Sequence, residues 1–303
     1  MSIYVNKANE NWIVDKFRNE FYEYSTLPTT KFHRKSNQTW IIAPWTWKKL
    51  NKKLLEKQYT VCTVHHIDFE KFDQNTEKNF FELDNFVDLY HTISENSFKD
   101  LSKLTSKKID VIPFWVNQKN FFNIKNKNLL INKYKLPKNK FFIGSFQRDT
   151  EGYDLISPKL SKGPDIFVDY LAQLKKNRPN LHVILAGKRR QFIISKLKEN
   201  KIPFTYFEMV GQKSLNELYN ILDLYIVSSR VEGGPQSILE CAITKTPIIS
   251  HNVGIAPEIL SVESIINEKN ILEAKPNLEF AYNKVLELTI PKGINRFNKL
   301  FNT

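Results

Sequence analysis

The sequence predicts an α/β protein built from two doubly wound parallel sheets that face each other across a cleft. Short apolar runs alternate with helical patterns along the chain, and this alternation is typical of βαβ units. The chain has 303 residues, and two domains are expected because a single core stops growing near ~250–300 residues. Hydrophobic residues make up 41% and charged residues 25%, which excludes wholesale disorder.

The first half contains five apolar runs that predict strands and two periodic stretches that predict helices. The strands are expected at residues 2–5, 39–43, 59–64, 87–92 and 109–112, and the helices at 12–24 and 94–104. Residues 125–140 are mostly polar, so they predict a connection between domains. The expected division is a short N-terminal domain of residues 1–136 and a C-terminal domain of residues 137–303.

The second half continues the alternation of strands and helices. Strands are expected at 141–145, 182–186, 205–209, 224–228 and 247–250, and helices at 165–176, 191–200, 215–221 and 235–244. Ligands of open parallel sheets bind beyond the carboxyl ends of the strands. The loops at 6–11, 65–68, 146–162 and 229–236 are therefore the candidate functional loops.

The net charge of +13, from 45 basic and 32 acidic residues, favours an anionic partner. The basic residues are dispersed and no recognition motif is present, so nucleic acid is not expected. Cys62 and Cys241 lie in apolar surroundings and form no metal-ligand pattern. Together with the lack of a signal peptide or an apolar run of ~18 residues, this predicts a cytoplasmic protein, with the inner face of a membrane as the alternative location.

The basic stretch at residues 291–301 leaves two interpretations open. It can pack on the first domain as a terminal helix, which we expect, or it can contact an anionic membrane.

Residues 224–242 predict a strand, a tight turn and a helix, and they carry the strongest functional signal. Gly233 and Gly234 permit a sharp turn and a close approach of a ligand. Pro235 suits the first turn of a helix. The next amides predict an anion site at the helix start; they are those of Gln236, Ser237 and Ile238.

Two glutamates flank this helix start. Glu240 lies one turn into the helix, where a carboxylate can accept hydrogen bonds from sugar hydroxyls of a nucleotide. Glu232 precedes the glycines and is expected to point into the cleft. A capped helix with an acidic first turn is the structural alternative, but the seven-residue spacing after an apolar strand favours the functional interpretation.

These residues resemble the donor-site signature of retaining GT-B glycosyltransferases of the family 4 type (glycosyl transferases group 1). That signature has two glutamates separated by seven residues, then a strand, a glycine loop and Pro-Glu; here T-P-I-I-S follows at 246–250 and V-G-I-A-P-E at 253–258. Upstream, I-G-S-F-Q-R at 143–148 and K-L-S-K-G-P at 159–164 resemble the Arg…Lys-Gly phosphate element. Lys245 departs from the family pattern, which usually has glycine there.

The resemblance implies a GT-B fold and a role for each matching residue. Arg148 and Lys162, with Lys159 as the alternative to Lys162, would neutralise the donor diphosphate. Glu240 would hold the ribose, and Glu232 would act beside the donor sugar. The remaining implied donor contacts are the phosphate cradle of Gly234, Pro235, Gln236 and Ser237, and the flanking Gly187 and Lys188.

In the first domain the resemblance implies a histidine that hydrogen-bonds the transferred sugar. His65 and His66 both follow a predicted strand, with His66 slightly favoured. The implied activity is transfer of a sugar from a nucleotide-diphosphate sugar to a glycan or lipid-linked acceptor, in surface polysaccharide or glycoconjugate synthesis. Neither a metal nor a cofactor is expected. A non-catalytic sugar-nucleotide-binding scaffold and a nucleotide-sugar 2-epimerase are the alternatives.

Overall fold

The computed structural model describes residues 2–10, 13–267 and 269–301, and the chain forms two compact units. Unit 1 comprises Met1–Trp115 and Leu288–Thr303, and unit 2 comprises Val116–Glu287. The strands are β1 (Ile3–Val5), β2 (Gln38–Ile41), β3 (Tyr59–Val64), β4 (Leu89–Thr92), β5 (Ile109–Val111), β6 (Phe141–Ser145), β7 (Leu181–Ala186), β8 (Phe204–Phe207), β9 (Leu224–Val227), β10 (Ile248–His251) and β11 (Ile265–Ile266).

The helices alternate with these strands along the chain. They are α1 (Ile13–Tyr24), α2 (Lys52–Leu55), α3 (Gln74–Asp84), α4 (Glu95–Leu101), α5 (Lys127–Lys133), α6 (Pro164–Asn177), α7 (Gln191–Glu199), α8 (Gln212–Ile221), α9 (Gln236–Thr244), α10 (Ala256–Ile259), α11 (Leu278–Leu286) and α12 (Lys292–Asn295).

Unit 1 is a five-stranded parallel sheet in the order β1-β2-β3-β4-β5. Successive strand residues point to opposite faces, and each face has its own core. Trp40 and Val61 pack on one side with α1. Ile41 and Cys62 pack on the other side with residues of α2, α3 and α4. Helices therefore cover both faces of the sheet.

The C-terminal segment of the described chain completes the first of these cores. Phe297 and Leu300 are 0% exposed and belong to the cluster formed by β1, β2 and α1. The ring of Phe297 lies 5.3 Å from that of Trp40. The expectation that this basic stretch packs on the first domain is confirmed, and its aromatic side chains are buried there.

Unit 2 is a six-stranded parallel sheet in the order β11-β10-β9-β6-β7-β8. The order of the strands reverses between β6 and β9, so their carboxyl ends form the switch point at which such sheets bind ligands. α6 packs its apolar residues, among them Phe167 and Leu171, against β6, β7 and β9. Unit 2 therefore has the doubly wound parallel architecture that the sequence predicts.

The structure divides the chain earlier than residue 136, because the polar segment before β6 belongs to unit 2. Helix α5 forms within that segment and buries Leu130 and Ile131. Lys127 Nζ lies 2.6 Å from Asp223 Oδ1, which ties α5 to the end of α8. The residues predicted as a linker are thus part of a packed domain. The predicted start of α1 at residue 12 lies outside the described residues.

Candidate active site

Three neighbouring strands of unit 2 carry the candidate donor residues. β9, β6 and β7 lie side by side and parallel, so their carboxyl ends share one edge of the sheet. The loops that follow them span residues 146–163, 187–190 and 228–235. Residues far apart in the sequence are thereby collected at one edge, as the strand pattern predicts.

Lys162 and Glu232 form an ion pair at this edge. The ammonium of Lys162 donates to Glu232 Oε1, with side-chain exposures of 21% and 11%. Ser229 Oγ donates to the same carboxylate oxygen at 3.1 Å, and the Gln147 amide donates to the Lys162 carbonyl at 2.8 Å. The two residues predicted to touch phosphate and donor sugar are therefore in direct contact.

The loops that carry this pair are locked together next to it. The guanidinium of Arg230 binds the Asp165 carboxylate with both ends, at 2.8 and 2.6 Å. The amides of Arg230 and Val231 donate to the Ser161 carbonyl at 2.9 and 3.1 Å. The hydrogen bonds from the Arg230 guanidinium lower the pKa of the Asp165 carboxyl group. The clamp fixes the turn before Glu232 relative to the Lys162 loop.

Two glycines allow the backbones of this region to touch. Gly163 has φ +58°, and a Cβ on it would lie 1.9 Å from the Ser228 carbonyl oxygen. Gly254 has φ +49°, and its Cβ would lie 2.1 Å from the Gly233 carbonyl oxygen. Both positions combine a left-handed backbone with a backbone contact, so only glycine fits. Gly163 of the Lys-Gly element is thus packed against the backbone of Ser228, and Gly254 is packed against the backbone of Gly233, next to Glu232.

The helix start differs in detail from the prediction. α9 begins at Gln236 and Pro235 is the capping residue before it, whereas the sequence predicts Pro235 inside the first turn. The amide of Ile238 donates to the Pro235 carbonyl at 2.9 Å, because the first turn closes in the tighter i→i+3 manner. The expectation of an available Ile238 amide is therefore wrong. The amides of Gln236 and Ser237 precede the first bonds inside the helix.

Glu240 lies one turn into α9, and its side chain is buried, with the residue 6% exposed. Tyr219 Oη, on α8, donates to Glu240 Oε2 at 2.8 Å. Burial raises the pKa of Tyr219, and the neighbouring carboxylate raises it further, so the phenol keeps its proton and remains a donor. Sequence reasoning missed Tyr219; the only signal was a tyrosine on the helix before β9.

The other predicted phosphate ligands lie in the loop after β6. Arg148 is exposed, and no ion pair or hydrogen bond involves it among the described residues. Lys159 is partly buried, and its amide donates to the Asp149 carbonyl at 2.8 Å. The free cationic side chain on this loop is thus Arg148, one residue after the Gln147 that binds the Lys162 backbone.

The loop after β7 contains Gly187 and Lys188. Gly187 has φ +90° and its carbonyl accepts a hydrogen bond from Tyr206 Oη at 3.0 Å. Lys188 is exposed. Both residues stand on the same sheet edge as Lys162, and among the described residues no hydrogen bond or ion pair joins either of them to the Lys162 side chain.

A buried ion pair that the sequence did not reveal joins the two loops. Arg190 is 0% exposed, and its Nε donates to Asp149 Oδ2 at 2.8 Å. Its Nη1 also donates to the Ser145 and Ala186 carbonyls, which end β6 and β7, at 2.6 and 3.1 Å. This pair holds the strand ends and both loops in place.

The two histidines of unit 1 have different environments. His65 Nε2 donates to the Ile42 carbonyl at 2.8 Å, and its ring stacks on that of Phe114 at 5.9 Å. Burial lowers the pKa of His65 to about 4, so its ring is neutral at pH 7. His66 is exposed. The contact with the transferred sugar, for which the sequence favours His66 slightly over His65, stays a prediction.

Within residues 2–10, 13–267 and 269–301, no three His, Cys, Asp or Glu side chains come together as a possible metal site. Over the same ranges no helix has both the length and the apolar character needed to cross a membrane.

A known protein family matches the part of the chain that carries most of the candidate site. Residues 156–283 match the family model described as Glycosyl transferases group 1, a stretch that runs from before Lys162 to beyond Glu240. A search of the curated proteins found no match.

Solved structures show the same fold over almost the whole chain. HepE from Anabaena, in complex with UDP and glucose, matches with a TM-score of 0.73 at 14% identity, over 100% of this chain and 99% of that one. Sucrose-phosphate synthase from Thermosynechococcus elongatus gives 0.71 at 14% identity, over 95% and 76%. A mutant of TarM from S. aureus gives 0.64 at 16% identity, over 88% of this chain and 55% of that one. The predicted GT-B fold, with two Rossmann-like units, is therefore confirmed.

Proposed function

We propose that the chain is a retaining, metal-independent glycosyltransferase that transfers a sugar from a nucleotide-diphosphate sugar to a glycan or lipid-linked acceptor. The observation that carries the proposal is the meeting of Lys162, Glu232 and the start of α9 at one edge of unit 2, with Glu240 buried one turn further on. The match of this region to glycosyl transferases group 1 supports it. HepE is described in complex with UDP and glucose, which supports a nucleotide sugar as donor.

In the proposed mechanism the donor diphosphate replaces Glu232 as the partner of Lys162. A diphosphate carries more negative charge than one carboxylate, so it competes for the ammonium, and Glu232 keeps its hydrogen bond from Ser229. Arg148 and the amides of Gln236 and Ser237 provide further positive charge. Fixed positive groups of this kind stabilise the leaving nucleoside diphosphate as the glycosidic bond breaks.

The released Glu232 carboxylate is then available to the donor sugar. There it accepts hydrogen bonds from sugar hydroxyls and stabilises the positive charge that develops at the anomeric carbon. Glu240, held by Tyr219, accepts hydrogen bonds from the ribose. We assign the contact with the transferred sugar to His66, or to His65 as the alternative, because this is the role the family resemblance implies. The positive groups of the chain itself do the work that a metal does in other transferases.

A donor screen tests the proposal directly. Thermal stabilisation and nucleotide release are measured across UDP-, GDP-, ADP- and CMP-sugars with the full chain. We expect one nucleotide class to stabilise the protein and to be released in the presence of acceptor. A folded protein that no sugar nucleotide stabilises would falsify the assignment. Binding without release would define a scaffold, and conversion of the donor sugar to its C2 epimer would define an epimerase.

Two glutamate variants make the first prediction and locate the site. Glu240→Ala is expected to weaken nucleotide binding by roughly 10-fold or more, because it removes charged hydrogen-bond acceptors from the ribose. Glu232→Ala is expected to lower kcat by roughly 100-fold with a smaller change in affinity, since its role lies in the transition state. Affinity is measured by calorimetry and kcat by nucleotide release.

Glu273→Ala is the matched control, since Glu273 is an exposed carboxylate of the same unit. It should behave like the unmodified protein in both assays. Normal turnover in both glutamate variants would show that the site lies elsewhere.

A further inference from the structure

Unit 1 carries a basic surface that the proposed reaction does not use. We call it the lysine surface and define it as the solvent side of residues 45–57. Five lysines occur in the ten residues 48–57, whereas the chain as a whole averages between one and two basic residues per ten. The lysine surface therefore exceeds the general basic bias of the composition, and the expectation that the basic residues are dispersed is wrong for this segment. Its exposed lysines are Lys48, Lys49, Lys52, Lys53 and Lys57.

The fold separates the apolar and basic side chains of this segment. Trp47 and Leu55 are 4% and 2% exposed and pack into the core beneath β2 and β3. Lys48 and Lys52 lie over the face of the Trp47 ring, with Nζ 5.8 and 5.3 Å from its centroid. The buried Trp47 and Leu55 side chains thus fix the segment to the core, and the lysines face solvent.

Carboxylates near the lysine surface offset only part of its charge. Glu82, on α3, pairs with Lys48 and Lys52 at 3.3 and 2.7 Å, and Glu56 is exposed within the segment. Among the residues that the structure describes, Lys49, Lys53 and Lys57 are in no ion pair. The lysine surface consequently keeps a net positive charge at neutral pH.

An exposed tryptophan lies at the edge of the lysine surface. Trp45 is 51% exposed, although tryptophan is one of the larger apolar side chains. Its ring lies 5.6 Å from that of His65, so it stands beside the loop that follows β3. An indole next to several lysines is the combination that binds at the interface of an anionic bilayer, because the ring fits the headgroup level and lysines attract acidic lipids.

We propose that the lysine surface, together with Trp45, docks on a bilayer that contains anionic lipids. The charge of the lysines complements that of the lipid headgroups, and the exposed indole enters the interface. The C-terminal aromatic residues are excluded from this role because Phe297 and Phe301 are buried in the unit 1 core. Docking is independent of the proposed sugar transfer, and it brings the His65 loop close to a membrane surface.

Vesicle sedimentation of the full chain tests this proposal without any activity assay. Vesicles of phosphatidylglycerol mixed with phosphatidylcholine are compared with phosphatidylcholine alone, at low and at high salt. We expect binding only to the anionic vesicles and weaker binding at high salt, since salt screens exposed charges. Equal binding to both vesicle types, or none to either, overturns the proposal.

The discriminating variant is Lys49→Gln/Lys53→Gln/Lys57→Gln, which leaves both ion pairs of Glu82 intact. It is expected to reduce binding by roughly 10-fold or more, because each lysine near an anionic surface contributes to the attraction. The matched control changes three exposed lysines of unit 2 in the same way, namely Lys138, Lys176 and Lys198. If the control loses as much binding as the variant, the attraction is a property of net charge and the proposal fails.

Trp45→Ala separates a bilayer from other polyanions. A bilayer surface predicts that this variant binds vesicles several-fold more weakly and that the tryptophan fluorescence of the unmodified protein shifts to the blue on binding. Unchanged binding by Trp45→Ala, together with full displacement from vesicles by a soluble acidic polymer, would identify a generic polyanion site. Circular dichroism confirms that each variant is folded.

Discussion

The phenol of Tyr219 is the clearest case of a side chain that acts through another residue. It donates to a carboxylate that is 6% exposed, and a buried carboxylate without its donor is costly. The bond also fixes which way Glu240 faces. If Glu240 holds the ribose, Tyr219 sets the geometry of nucleotide recognition without touching the nucleotide.

The second prediction follows from this bond. Tyr219→Phe is expected to weaken binding of the nucleoside diphosphate identified in the donor screen by roughly 3- to 10-fold. It should also narrow the preference for the ribonucleotide over its 2′-deoxy form. Calorimetry with both nucleotides measures this. Tyr170→Phe, which removes another buried hydroxyl of unit 2 that bonds to His251 at 2.6 Å, should lose stability but keep the preference.

His91 is a fully buried histidine that is hydrogen-bonded through both ring nitrogens. Its Nε2 lies 2.8 Å from the Ile112 carbonyl, so Nε2 carries the proton, and Nδ1 accepts from Thr63 Oγ1 at 2.8 Å. Thr63 in turn accepts from the indole of Trp40 at 2.8 Å. Burial lowers the pKa of His91 to about 3, whereas an unfolded histidine titrates near 6.5. The folded state therefore binds fewer protons than the unfolded state between these values.

The third prediction is a loss of unit 1 stability in acid. The contribution of His91 is complete above pH 6.5, and the free energy of unfolding falls as the pH is lowered, by about 2 kcal/mol at about pH 5. His91→Gln should be less stable at neutral pH but should show a shallower pH dependence. Urea unfolding followed by tryptophan fluorescence measures both. The same slope in the two proteins would contradict the assignment.

Sequence reasoning identified the residues of the candidate site that belong to a compact motif. Lys162 and Glu232 each precede a glycine, and seven residues separate Glu232 from Glu240. These features are visible without a structure. The Asp149–Arg190 ion pair and the Tyr219–Glu240 hydrogen bond each join residues that lie on different elements. The local sequence around each of these four residues does not indicate its partner. Their pairing depends on which strands become neighbours.

At the level of elements, the turn from the Lys162 loop into α6 is the most constrained. α6 begins at Pro164, and Gly163 precedes it in the left-handed conformation. The Ser228 hydroxyl donates to the Gly163 carbonyl at 2.8 Å, so this turn is packed directly against the end of β9. A side chain at residue 163 has no space.

The fourth prediction is that Gly163→Ala destabilises unit 2 by about 2–4 kcal/mol, because the Cβ strains the backbone and meets a carbonyl oxygen. Gly211→Ala is the control, since a Cβ there has no atom within 4 Å, and it should cost less than about 1 kcal/mol. Thermal unfolding followed by circular dichroism compares the two. Equal losses would show that the Ser228 contact is unimportant.

The strands were predicted more accurately than the short helices, and there is a physical reason. Parallel strands are covered on both faces and appear in the sequence as continuous apolar runs, so β3 and β6 match their predicted bounds. Helices α3 and α5 lie on the surface and bury few residues, among them Leu83, Leu130 and Ile131. Their polar sequences therefore resemble loops. In the structure each helix has a capping side chain at its N-terminus: Asp73 accepts from the Thr76 amide, and Asn126 accepts from the Leu129 amide.

At the scale of the whole molecule, unit 1 depends on residues from both ends of the described chain. Phe297 touches the rings of Trp40, Phe114 and Trp115, at 5.3, 5.5 and 5.1 Å. Gly293 permits this packing, because a Cβ on it would lie 2.4 Å from the Leu288 carbonyl oxygen. The segment after unit 2 is therefore part of the core and not an accessory to it.

The fifth prediction measures how much this segment contributes. Phe297→Ala should destabilise unit 1 by about 3–5 kcal/mol, as expected for a large cavity in a core. Phe280→Ala, at a side chain of unit 2 that is 40% exposed, should cost less than about 1 kcal/mol. All five tryptophans of the sequence lie between residues 12 and 115, so tryptophan fluorescence reports on unit 1 alone. A small effect of Phe297→Ala would contradict the assigned core.

The return of residues 288–301 to unit 1 has a consequence for biosynthesis. A ribosome makes every residue of unit 2 before it makes Phe297 and Leu300, so unit 2 can fold while unit 1 still lacks part of its interior. The usual order, in which the first domain to be translated is the first to fold, therefore does not apply to unit 1, whose core can be completed only after unit 2 has been made. Residues 1–115 of the nascent chain lack this cover over Trp40 and Phe114 until residues 288–301 have been made.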